Sequence, residues 1–396
     1  MKVKLIAICL VALFSFTSAN DLIKFYDTTS GSWNDMKSLA VKEQKLIFID
    51  AYTDWCVWCK VMDRETFSDK AVADFMNEKF INVRYEMETG FGALMSGKYR
   101  VNGFPTFLIF TANGRLVNRI VGYHKVKEFL EKLNIALDST KHDNLAGVTN
   151  EIEAGFPEFY KLSFLKGELR KRPDSATVNN FLSTSTDLLN EVSWSIMYRF
   201  SGLLEPKYKQ FIFDNSDKIK TLFGKYDMES VTGQLVSGEL RSAIAKNDSL
   251  ALLSVIEKAK KYSSQPIVDI ERNYQIQFYQ GTKQWIRFAE IIELNKSLFD
   301  ENAFNSYSWT IYERCDDKKV VAQAVKWMSD VVMKSPKYMF LDTYAALLYK
   351  NSDLKNARKY AEKAIAAGKK ENEKVEETEA LLKKIKAESI KKKTKG

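Results

Sequence analysis

The stretch Trp55-Cys56-Val57-Trp58-Cys59-Lys60 directly follows the apolar run Leu46-Ile47-Phe48-Ile49-Asp50-Ala51-Tyr52 and constrains this chain more than any other feature. The apolar run reads as a buried strand. A Cys-x-x-Cys pair placed straight after such a strand has to open a helix. Its first sulfur then lies at the positive helix end, where a thiolate is stabilised and the thiol pKa lowered. The second cysteine lies one turn further on, close enough to attack a mixed disulfide formed by the first. This arrangement points to thiol–disulfide exchange.

The first residues bear on the compartment. Lys2 and Lys4 form a charged start, Leu5 to Phe16 an apolar stretch, and Thr17-Ser18-Ala19 a small-residue cleavage site. Residues 1–19 therefore read as a secretory signal peptide, too short in its apolar part to span a membrane. Cys9 follows Ile8 inside that stretch and does not fit a lipoprotein acylation site. The expected location is the periplasm or another exported compartment, with the chain soluble after cleavage. Export leaves Cys56, Cys59 and Cys315, too few and too odd a number for a disulfide-stapled scaffold. The net charge of +9 falls to +7 without Lys2 and Lys4, and residues 383–396 carry seven lysines against Glu388. The remainder is close to neutral, which speaks against a nucleic-acid surface. The basic tail, 386–396, reads as a solvated end, with attraction to an anionic membrane surface as the alternative.

From 20 to 140, helical and strand patterns alternate. A helix opens at Ser32-Trp33-Asn34-Asp35 and runs through Ala40, and Leu46 to Tyr52 is a strand. Cys59 to Asn77 is helical with a break near Phe67-Ser68-Asp69. Phe80 to Glu86 is a strand, Ala93 to Tyr99 a helix, and Thr106 to Phe110 and Leu116 to Val121 two strands joined by the hairpin signal Asn113-Gly114. Val126, Phe129, Leu130, Leu133 and Ala136 mark a closing amphipathic helix. The order of strand, Trp-Cys-x-x-Cys-Lys helix, strand, helix, Gly103-Phe104-Pro105-Thr106, hairpin, Gly122 and helix resembles thioredoxin. Within that superfamily, Asp50 to Lys60 followed by Thr66-Phe67-Ser68-Asp69 is most similar to the C-terminal periplasmic thioredoxin-like domain of DsbD.

Beyond 141 the texture changes. Glycine becomes sparse, prolines at 157, 173, 206, 266 and 336 punctuate long helical periodicities, and the segment reads as all-α. Residues 141–300 read as a helical domain without a clean repeat. Residues 301–385 resemble tetratricopeptide repeats: Leu341, Ala345, Leu348, Ala357, Ala361 and Ala364 hold that motif's small and apolar positions, with Asn351-Ser352-Asp353 as the turn. Ala324, Met328, Val331 and Pro336 fit the same frame one unit upstream. The expected fold is thus an α/β thioredoxin fold followed by an all-α, TPR-like α-solenoid domain.

Cys56 is expected to be the exposed nucleophile and Cys59 the more buried resolving thiol. A metal site would need further ligands, and the chain has only His124, His142 and the distant Cys315; no metal is expected, and the redox-active Cys56–Cys59 disulfide takes the place of a cofactor. Val57-Trp58 departs from the Gly-Pro of ordinary thioredoxins, which leaves potential and direction open. Trp55 and Trp58 offer flat apolar surface to a partner, with plain packing as the other reading of Trp58. Asp50 is the only residue of its strand that carries a charge at neutral pH in water; buried, it would have a raised pKa and could take the proton of the resolving thiol. Its place six residues before Cys56 matches the buried acid of the resembled family. Asp63, one turn beyond Cys59, matches a second acid of the DsbD domain, and it and Lys60 are expected to modulate the pair. Pro105 matches the family's cis-proline; Phe104 and Thr106 would then border a site where a substrate strand pairs by β-addition, its cysteine over Cys56. Cys315, Tyr307, Trp309, Tyr312 and Trp327 read as packing residues, and His124 as a helix terminus.

The reading is an exported thiol–disulfide oxidoreductase that reduces disulfides of exported proteins. The resemblance implies a membrane-embedded electron donor, and the helical domain is the natural place for a protein partner. Two alternatives stay open: an interaction scaffold or chaperone-like binder, and an oxidant that makes disulfides.

Overall fold

The structure, a computed structural model, describes residues 23–143, 145–153 and 155–393. The signal peptide expected at 1–19 lies outside the described residues. The first ten regular elements are β1 (Phe25–Tyr26), α1 (Trp33–Glu43), β2 (Leu46–Tyr52), α2 (Val57–Met62), α3 (Lys70–Lys79), β3 (Phe80–Glu86), α4 (Gly90–Lys98), β4 (Thr106–Phe110), β5 (Leu116–Val121) and α5 (Val126–Leu137). The strands form one sheet in the order β1-β3-β2-β4-β5. β3 runs parallel to β1 and β2, whereas β4 is antiparallel to both β2 and β5.

Local chemistry sets these limits. Ser32 and Asp35 form a reciprocal capping box that starts α1. Asp69 starts α3 by accepting from the N–H groups of Ala71 and Val72, which is why the helical stretch breaks there. Between α2 and that break the chain takes a π turn over Asp63–Phe67, which the periodicity did not reveal. Gly114, at φ +88, closes the β4–β5 hairpin. α4 begins three residues earlier than expected, because its glycine-rich start, weak in helix propensity, packs against the end of β3.

Alternation along β2 divides the core. Ile47, Ile49 and Ala51 face Trp33, Met36, Val83 and Tyr99 on one side. Phe48 faces Met62, Met76, Phe107 and Phe129 on the other. The stacked Phe48–Phe107 pair, at 5.4 Å, lies at the centre of this second face, and each such buried ring contributes about 2 kcal/mol.

Helices follow: α6 (Glu158–Leu162), α7 (Ser175–Thr184), α8 (Glu191–Arg199), α9 (Pro206–Asp214), α10 (Ser216–Phe223) and α11 (Lys225–Lys246). The chain divides into two compact units between Leu235 and Val236, within α11. The boundaries expected at 140 and 300 do not coincide with this division. The first unit continues past 140 because buried charges join its helices to the sheet. Lys98 pairs with Glu191 at 2.7 Å, and Asp227 receives both Arg100 and Arg119, the latter at 2.7 Å.

The second unit continues with α12 (Ser249–Tyr262), α13 (Ile267–Gly281), α14 (Trp285–Leu294), α15 (Glu301–Arg314), α16 (Lys318–Lys334), α17 (Tyr338–Lys350), α18 (Leu354–Glu371) and α19 (Glu376–Lys393). Ala345, Ala357, Ala361 and Ala364 are fully buried between α17 and α18, where small side chains allow close approach. Asp353 caps α18 at the turn expected there. Cys315 is buried in the same core, and burial pushes its thiol pKa up. The segment expected as a basic tail is helical through Lys393, the rest lying outside the described residues. No described helix is long and apolar enough to cross a membrane.

Candidate active site

β2 ends at Tyr52, and four residues later Cys56 caps α2. Its Sγ accepts the N–H of Cys59 at 3.0 Å and is joined to Cys59 in a disulfide. The sulfur thus sits against the unpaired amides of a helix N-terminus, which favour negative charge. The expected contrast in exposure is absent: Cys56 is 3% and Cys59 4% exposed. In this oxidised form the Cys56 sulfur is occupied by its bond to Cys59 and by the Cys59 N–H.

The rim is apolar and open. Trp55 and Trp58 are 63% and 58% exposed. Trp55 meets Phe104 edge to face at 5.9 Å, and Trp58 lies 5.7 Å from the Tyr123 ring. The Phe104–Pro105 peptide bond is cis. The backbone of Phe104 makes no hydrogen bond among the described residues, whereas Pro105 O accepts from Gly122 N and Thr106 begins β4. Thr106 is buried, and its hydroxyl donates to Gly103 O at 2.7 Å.

Asp50 is 1% exposed. Alternation sends it to the Phe48 face, which α2 covers through Met62. Burial pushes its carboxyl up to about 6; Arg84 opposes that shift and the Asp63 carboxylate adds to it. Arg84 stands directly beside Asp50 in the β2–β3 register. Its Nε donates to Asp50 at 2.7 Å, its Nη2 to Asp63, and its guanidinium lies 5.0 Å over the Tyr52 ring. Asp63 therefore reaches Asp50 through Arg84. Lys60 is exposed on α2 and makes no ion pair among the described residues.

Sequence reasoning missed Arg84, although it is the only cation in a strand that otherwise reads as core. It also missed Glu88, a buried carboxylate that accepts Trp55 Nε1–H at 2.8 Å, and Tyr123, which donates to Glu65 at 2.8 Å beneath Trp58. Among the described residues no group of three or more His, Cys, Asp or Glu is placed to hold a metal ion.

A central β2 flanked by parallel and antiparallel neighbours, with a Cys pair capping the following helix, defines a thioredoxin-like domain. Residues 33–136 match the family model described as thioredoxin-like domain. It is similar to the thiol:disulfide interchange protein DsbD of Tatumella citrea, 30% identical over 100 residues, which is 24% of this chain and 17% of the relative. The DsbD protein of Yersinia pestis (strain Pestoides F) is 32% identical over 98 residues, 24% of this chain and 16% of the relative. The chain therefore spans less than a fifth of the length of these relatives. A solved thioredoxin from Thermus thermophilus aligns at 22% identity and TM-score 0.27, covering 29% of this chain and 88% of that one.

Proposed function

We propose that this protein is an exported thiol–disulfide oxidoreductase that reduces disulfides in exported polypeptides. The observation that carries the reading is the Cys56–Cys59 disulfide at the amide end of α2. In the reduced protein the Cys56 thiolate attacks a substrate disulfide, forming a mixed disulfide and releasing one substrate thiolate. Cys59 then attacks Cys56 Sγ, its proton passing to Asp50, and the second substrate sulfur leaves. Two electrons go from the protein dithiol to the substrate. The open backbone of Phe104 offers the substrate strand a β-pairing edge, and Trp55 and Trp58 offer it apolar surface. The Asp50 carboxyl, raised to about 6, is poised to accept a proton near neutral pH. Asp63 modulates Asp50 through Arg84, while Lys60 adds positive charge beside the pair.

A membrane-embedded protein would return the electrons, and similarity to DsbD supports that choice of donor. The helices of the second unit, with TPR-like spacing from 301 to 385, are proposed to bind a protein partner. The deciding measurement is the reduction potential of Cys56–Cys59 against defined thiol buffers. A value near thioredoxin's, about −270 mV, supports a reductase, and one near DsbA's, about −120 mV, makes the protein an oxidant. A Cys59→Ser variant should accumulate mixed disulfides through Cys56; trapping through Cys315 alone would overturn the site assignment.

A further inference from the structure

The helices beyond residue 140 do more than extend the first unit. Their 163–172 segment grips the loops that surround Cys56. Lys166 N–H donates to Glu88 O at 3.1 Å, so the segment lies along the 86–89 turn. Lys166 Nζ is 3.1 Å from Asp54, two residues before Cys56. Arg170 pairs with one oxygen of Glu88 while the other accepts the Trp55 indole N–H, and Arg170 Nε is held by Leu165 O at 2.6 Å. From α8, Arg199 donates to Ser163 O at 2.8 Å and lies 4.2 Å over the Phe164 ring. It also donates to Asn102, next to the Gly103-Phe104-Pro105 loop.

We propose that residues 163–172, held by Arg199, form a second wall of the Cys56 groove and determine which polypeptide disulfides fit against Trp55. This rests on the oxidoreductase reading and adds a specificity element to it. The sulfur chemistry needs only β2, α2 and the Pro105 loop, so none of these contacts is required for electron transfer itself. They hold Trp55, the largest exposed apolar surface at the rim, through a buried carboxylate whose partner is a cation from outside the thioredoxin-like domain. Arg170 acts as a positioning residue: it touches neither sulfur nor substrate, and orients the ring on which a polypeptide rests. A small disulfide, too short to reach that ring, would not sense it.

The test uses the full chain, reduced by dithiothreitol, with insulin as the polypeptide disulfide. Arg170→Met should raise KM for insulin on the order of tenfold with little change in kcat, as expected when a positioning bond to a charged group is lost. Arg170→Lys should recover most of the loss. The Trp55 indole N–H resonance, assigned with a Trp55→Phe variant, should shift in Arg170→Met. If Arg170→Met does not fold, the milder Lys166→Met should still raise KM. An unchanged KM in both variants, or an unmoved Trp55 resonance, overturns the wall. Loss of kcat and thermal stability without a KM effect would also overturn it, as a purely structural clamp. Failure of the wild-type protein to reduce insulin would instead sink the oxidoreductase reading, and the Trp55 resonance would still decide whether Arg170 positions that ring.

Discussion

Replacing Asp50 by Asn should make the oxidised protein more stable and less active, with both effects depending on pH. Asp50 is buried, and its carboxyl is raised from 3.8 to about 6. The folded protein thus keeps the Asp50 proton across an interval in which the unfolded chain has released it. Stability falls as pH rises through that interval, and the loss is complete above about pH 6. At about 1.4 kcal/mol per unit, the charged carboxylate costs about 3 kcal/mol at pH 7. The attraction of Arg84 is already contained in this figure, because the raised value includes it. In the variant Arg84 retains Asp63 and, with its side chain 25% exposed, some contact with water. Asn is neutral at every pH, so the variant should exceed the wild type by up to about 3 kcal/mol at pH 7.5 and by almost nothing at pH 4. Denaturant midpoints of both proteins at the two pH values give the difference directly. Resolution of a mixed disulfide, followed by rapid quench, should slow about a hundredfold at neutral pH, the usual scale for losing a proton acceptor. A stability difference independent of pH, or a wild type that outlasts the variant at pH 7.5, would refute the reasoning.

Three further outcomes follow from single contacts. Asp63→Asn removes a carboxylate that raises the Asp50 pKa, so the apparent pKa in the pH–rate profile of the resolving step should fall below that of the wild type. Asp227→Ala leaves Arg100 and Arg119 buried without their common partner; calorimetric or denaturant unfolding should show a loss of about 3–5 kcal/mol. Gly92→Ala brings a Cβ to 2.0 Å from Glu86 O, a backbone atom that cannot swing away, and thermal unfolding should register a loss of about 1–3 kcal/mol from overpacking.

The strands of the sheet were legible because each is a short apolar run closed by a turn or a cap. Leu46–Tyr52, Phe80–Glu86, Thr106–Phe110 and Leu116–Val121 have the expected limits. β1 was not, since two residues carry no period and Phe25–Tyr26 becomes a strand only by pairing with Asn82 and Val83. The Cys pair and Asp50 were visible as residue types in a telling order. Arg84 was visible as a residue but not as a partner, because its place beside Asp50 is a matter of register between β2 and β3. The prolines marked helix starts well: Pro206 opens α9, and Pro157 and Pro266 cap α6 and α13. The division at Leu235 had no such mark, since it falls inside the continuous α11. Nothing local tells Arg170 and Lys166 from ordinary solvated cations; only the tertiary placement of their segment brings them to Glu88 and Asp54.

The charges buried behind the site bear on how firmly that placement is held. Lys98 and Arg100, at the end of α4, are shielded from water and meet Glu191 and Asp227 from helices more than ninety residues away in sequence. Buried ion pairs add little net stability over a well-packed apolar replacement, but breaking one leaves a bare charge in a poor solvent. Such pairs therefore disfavour any arrangement in which the helices lift off the sheet, more strongly than they favour the native one. A tethered helical module would have no need of them. In this protein they join the Tyr160 hydroxyl, which donates to Gly97 O, in fixing α4 to the segment that leads into residues 163–172. A wall fixed in this way costs a substrate no ordering of the protein on binding, which is how a preformed groove gains affinity. The same rigidity makes the groove selective, because a polypeptide that does not fit beside Trp55 meets a wall that folding has already set.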